Sequence, residues 1–167
     1  QITLDSTWSR STYFFSEGDY SQNGAFQLAV LEDRNDAILV FDSYETQTDS
    51  TTGLNSPVDL VGIGDNDNAY VVVSERTASS TVALYSVAQN AITGRVEVGV
   101  GVEQIITDGS AIYCALTAEE AITKISNIGS GNDTLRHLFS DFKVRHIAVG
   151  DNNLYISSDD NSNPGEV

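Results

Sequence analysis

The sequence predicts an all-β fold made of repeated four-stranded units, and three observations carry that prediction. A pattern recurs at intervals of 44, 43 and 42 residues along the 167-residue chain. The segments that recur are short, rich in β-branched and aromatic residues, and bounded by Asn, Asp, Ser and Gly, which is strand-and-turn chemistry. No segment has the period of a long amphipathic helix, and no run approaches the roughly 18 apolar residues of a membrane helix.

The period appears first as an aromatic after a polar turn: Asn23-Gly24-Ala25-Phe26, Asp67-Asn68-Ala69-Tyr70, Gly109-Ser110-Ala111-Ile112-Tyr113 and Asn152-Asn153-Leu154-Tyr155. A second register agrees with it. Asp65, Asp108 and Asp151 lie 43 apart, each with an apolar residue two positions before it, namely Ile63, Ile106 and Val149. Fixed spacing of this size implies one supersecondary unit per repeat.

Within each repeat the elements follow in order. Ile2-Thr3-Leu4 reads as an incoming outer strand and Thr12-Tyr13-Phe14-Phe15 as a first inner strand. Pro57 to Gly64 and Ile147 to Gly150 read as innermost strands, which burial between neighbouring units should make the most apolar and least charged. Third strands begin nine to twelve residues beyond each aromatic, in Ile38 to Asp42, Val82 to Ser86 and Ile122 to Ser126. Weaker fourth strands follow in Gly94 to Val98 and Thr134 to Phe139, where Arg95, Glu97, Arg136 and His137 suit a solvent-facing edge. Four short antiparallel strands per repeat make a propeller blade. The expected units are 12–54, 55–99, 100–141 and 142–167, the last truncated, which amounts to an incomplete ring of about three and a half blades. That reading is preferred to a four-bladed ring closed by the N-terminal strand.

The segment from Gly99 to Tyr113, with Tyr70 to Ser74 and Thr81 to Tyr85, resembles the YVTN-type β-propeller repeat family, with NHL-like and quinoprotein-like propellers as near relatives. The resemblance runs over residues 20 to 158. It implies a blade and no particular activity.

Composition bounds the environment. Eight Lys plus Arg against 24 Asp plus Glu give a net charge of −16, which excludes a nucleic-acid groove and an anionic membrane surface. Only Lys124 and Lys143 supply lysine. Molar salt shortens the screening length to about 3 Å and removes the self-repulsion of so acidic a coat, so a high-salt habitat is expected. An acidic extracellular domain from a marine or mesophilic source accounts for the same skew. With no methionine and Gln1 at its start, the sequence reads as a processed product or an excerpt.

Candidate chemistry is sparse. His137 reads as a solvated outer-strand residue, and His146 opens an inner strand near the ring axis, where propellers place ligand contacts. Cys114, the single cysteine, replaces an apolar strand residue and is expected to be buried and inert. Asp65 and Asp67 in one turn, and Asp159 and Asp160 in another, offer the clustered oxygens that calcium takes, although neither cluster has EF-hand spacing. Calcium is thus the one cofactor suggested. Asn132-Asp133-Thr134 is an N-glycosylation sequon in a turn between third and fourth strands. Gly99-Val100-Gly101 and Gly129-Ser130-Gly131 lack the strand-turn-helix setting of a phosphate loop and read as turn glycines.

The function expected is a non-enzymatic interaction or structural module on a cell or virion surface, of spike, adhesin or surface-layer type. Its partners would be other protein chains or further blades of the same protein, with a cell-surface glycan as a further ligand. The alternative is an enzyme of lactonase or quinoprotein-dehydrogenase type with an axial site. A sensor domain fused to further modules is a third reading.

Overall fold

The computed structural model describes residues 14–15, 28–32, 35–41, 47–64, 70–128, 134–140, 143–151 and 153–158. Every regular element among them is a strand. The first blade contains β1 (Phe14–Phe15), β2 (Leu28–Glu32), β3 (Ala37–Phe41) and β4 (Gln47–Thr51). The second holds β5 (Pro57–Ile63), β6 (Tyr70–Glu75), β7 (Ser80–Ser86) and β8 (Ala91–Gly99). In the third are β9 (Val102–Thr107), β10 (Ala111–Leu116), β11 (Ala121–Ser126) and β12 (Thr134–Phe139), and in the fourth only β13 (His146–Gly150) and β14 (Asn153–Ser157). Each sheet is an antiparallel meander in chain order.

The sheets stack as wedges. Ala29, Leu31, Ile38 and Val40 of the first blade pack against Leu60, Val71, Val73 and Tyr85 of the second. Val72, Val82, Leu84 and Val98 on the far side of the second blade meet Ile105, Ile112, Cys114 and Leu116 of the third. Ala111, Tyr113, Ala115 and Ile122 then meet Val144 and Ile147 of the fourth. Alternation along each strand sends successive side chains to opposite neighbours, so every complete blade is apolar on both faces. Strand β1 lies beside β5, β5 beside β9, and β9 beside β13, so the innermost strands converge. The described residues thus form three and a half propeller blades.

The innermost strand is not the most apolar one, contrary to the sequence expectation. All six residues of β10 are buried, and five of the six in β6. In β5, β9 and β13 buried residues alternate with partly or fully exposed ones, and Asp59, Glu103, Gln104 and His146 are among the latter. The second strand has a hydrogen-bonded neighbour on each side and a packed blade on each face. The innermost strand instead turns one edge toward the axis, where polar groups are tolerated.

The aromatic period also needs one correction. Strands β5 and β9 each carry a one-residue bulge, opposite Glu75 and Ser74 in one blade and opposite Leu116 and Ala115 in the other. Aligning the blades on that bulge matches Asp59 with Gln104 and Leu60 with Ile105. It also places Val72, not Tyr70, at the position of Tyr113. Tyr70 sits two residues earlier on the same face, because the β5–β6 connection is longer than the β9–β10 turn. The fourth unit follows at a uniform offset of 42, with His146 at the place of Gln104 and Tyr155 at that of Tyr113.

Two glycines serve close approach more than turning. The connection from β8 to β9 runs against the β10–β11 hairpin, and Gly101 has φ +79. A Cβ there would lie 2.7 Å from the Ala118 Cβ and 3.0 Å from its backbone nitrogen. At Gly99, with φ +128, it would lie 2.5 Å from Leu116 Cδ1. The Ser80 hydroxyl fixes the same connection by accepting the N–H groups of Gly101 at 3.1 Å and Val102 at 3.2 Å.

Candidate functional site

The polar groups of the innermost strands are engaged between blades. Asp59 uses one carboxylate oxygen on the Leu60 N–H of its own strand, at 3.0 Å, and the other on the Ile105 N–H of the next blade, also at 3.0 Å. One blade further on, Gln104 Oε1 accepts the Ile147 N–H at 2.9 Å. The bulge presents both side chains toward the following blade, and each supplies an acceptor to an N–H on the inner edge of a strand. An N–H left without a partner in such a place would cost about 1–3 kcal/mol.

A second polar cluster lies at the joint of the first two blades. Glu75, at the end of β6, is fully buried, and its carboxylate accepts four hydrogen bonds. These come from Asn55 N at 2.8 Å, Thr81 Oγ1 at 2.7 Å, Arg95 Nε at 2.9 Å and Arg95 Nη2 at 3.2 Å. Arg95 also donates to Gly53 O, so the pair fastens the connection between blades to β6, β7 and β8 at once. Each lone pair is matched by a donor, the condition under which a buried charge is tolerated.

Histidine and cysteine occupy quiet places. His137 is exposed on β12, as expected for a fourth strand, and its Nδ1 lies 2.9 Å from Thr123 Oγ1. That hydroxyl gives its single proton to Val98 O at 2.7 Å, so His137 Nδ1 is the donor to Thr123. Cys114 is buried between the second and third blades, and burial pushes its thiol far above the ordinary range, away from the thiolate a nucleophile requires. His146 is exposed on β13.

Asp108 shapes the β9–β10 turn. Its carboxylate accepts the N–H groups of Ser110 and Ala111 at 2.8 Å each, and the Tyr113 hydroxyl at 2.8 Å. Desolvation pushes this carboxyl upward. The bonds from Ser110, Tyr113 and Ala111 outweigh it and hold the group well below the usual carboxylate range.

The calcium candidates Asp65, Asp67, Asp159 and Asp160, and the sequon residue Asn132, lie outside the described residues. Among the described residues no group of three His, Cys, Asp or Glu side chains is placed to hold a metal. Sequence reasoning did not single out Asp59, Gln104 or Glu75. The signal for the first two was a polar residue interrupting an apolar inner strand just before Leu60 or Ile105.

No family model matches the chain, and no curated protein matches it. Among solved structures it is similar to Hsv2 of Kluyvelomyces marxianus, a β-propeller, with a TM-score of 0.54 and 12% identity over 90% of this chain. The likeness establishes the propeller fold. This chain spans 44% of the length of Hsv2.

Proposed function

We propose that the chain is a non-enzymatic interaction module, a rigid arc of blades displayed on a cell or virion surface in the manner of a spike, adhesin or surface-layer component. The observation that supports this reading is the use made of the inner-strand polar groups. A propeller enzyme aims such groups at a substrate on the axis, whereas Asp59 and Gln104 hold neighbouring blades together. Partners on this reading are other protein chains or further blades, with a cell-surface glycan as an additional ligand. The net charge of −16 supports salt adaptation, since self-repulsion at low ionic strength opposes the compact state.

Immunogold labelling of intact cells or particles with an antibody to this chain tests the location. Label on unpermeabilised material is the expected result, and label that appears only after permeabilisation overturns the reading. Soluble chain should also compete with the intact particle or cell for attachment to its host surface.

A further inference from the structure

The exposed face of the β13–β14 hairpin repeats, position by position, the face that the second and third blades turn to their successors. At the built joints the innermost strand contributes a polar acceptor and an apolar residue, Asp59 with Val61 and then Gln104 with Ile106. The second strand contributes Val72 and then Tyr113. The third occurrence of the set is His146, Ala148 and Tyr155. All three are exposed, Tyr155 to 52%, against 9% for its counterpart Tyr113. The opposite face of the same hairpin, with Ile147, Val149 and Leu154, already packs on the third blade.

We propose that this face seats a further four-stranded blade of the same repeat, and that a His146 ring nitrogen accepts the inner-edge N–H of that blade's first strand, as Asp59 and Gln104 do at the two joints before it. The occupant needs an apolar face equivalent to Val144 and Ile147, and one backbone N–H at the position of Ile147. A second copy of this chain does not offer that face on its first blade, where Val30, Ala37 and Phe41 are already buried. The assignment holds whether the assembled disc binds partners or substrates, so its test is separate from that of the surface-module reading.

The uniform offset of 42 between the third and fourth units supplies the experiment. Appending a copy of residues 117–158 directly after Ser158 adds two outer strands to the fourth blade and places the next inner hairpin in register, the copied tyrosine being made phenylalanine so that only Tyr155 is read. Hydroxyl-radical footprinting should then show Tyr155 oxidation falling about sixfold from the native chain, the ratio of the 52% and 9% exposures. His146→Gln, which installs the amide used at Gln104, should keep that protection. His146→Lys, which has donors and no acceptor, should lose it. Unchanged oxidation of Tyr155 in the extended chain overturns the proposal, whether or not the added strands fold. Equal protection in the Gln and Lys variants overturns the role of His146. Concentration-dependent dimers of the native chain in sedimentation, with Tyr155 protected, would assign the face to a second copy instead.

Discussion

The joint between the first and second blades and the joint between the second and third share one frame, yet differ in chemistry at the seat opposite the inner-strand bulge. Opposite the inner-strand bulge the first joint has Glu75, with Arg95 closing over it, and the second has Leu116. Both side chains are fully buried. The apolar seat derives its stability from area removed from water. The ionic seat must overcome desolvation and does so only because four donors converge on one carboxylate. A propeller can therefore close the same joint with a charge or a hydrocarbon, but the charged version depends on every partner being present.

Breaking the pair from one side should show the largest effect. Arg95→Leu leaves Glu75 buried without its counter-charge and should destabilise the protein by about 3–5 kcal/mol in urea denaturation. Arg95 is partly exposed and can turn to water, so Glu75→Leu should cost less. The double variant, which copies the apolar joint, should recover to within about 1 kcal/mol of the native chain or exceed it. A double variant as unstable as Arg95→Leu would show that the two joints are not interchangeable. Next in size is Leu116→Ala, for which lost transfer energy and the cavity together predict about 2–5 kcal/mol.

The polar bridges sharpen the comparison on a smaller scale. Gln104→Ala removes the acceptor of the Ile147 N–H and should cost about 1–3 kcal/mol, with faster hydrogen exchange at Ile147, while Gln104→Glu should retain protection there. An Ile147 amide equally slow in the Ala variant would refute the bridge. The smallest effect belongs to Asp108, whose carboxylate is exposed. Its folded pKa lies below the ordinary value of 3.8, so its contribution is complete above that pH and is lost as pH falls below it. Asp108→Asn should flatten the acid side of the stability profile below about pH 4, and an unchanged profile would remove Asp108 from the account.

The blade was legible because its strands are short, two-faced and separated by polar turns, so a period of about 43 survives local differences in loop length. Finer equivalence was not legible. Tyr70 and Tyr113 lie 43 residues apart and share a face, yet they occupy seats two residues apart along the strand, since the bulge-aligned second strands are 41 apart, from Val72 to Tyr113. Strand β4, Gln47–Thr51, escaped notice because an outermost strand of polar residues carries no hydrophobic alternation to read. The Glu75–Arg95 pair was hidden for a different reason. Its members are 20 residues apart on β6 and β8, with β7 between them, and only the sheet brings them together. Carboxylates are so common in this chain that one more at the end of a valine run drew no attention.

Cys114 gives the second joint a property the first lacks. It is the sole thiol in the chain and is sealed where the second and third blades meet, so a disulfide reagent can reach it only when they part. The labelling rate under native conditions is therefore a built-in stopwatch for that parting, reporting its frequency without any engineered probe.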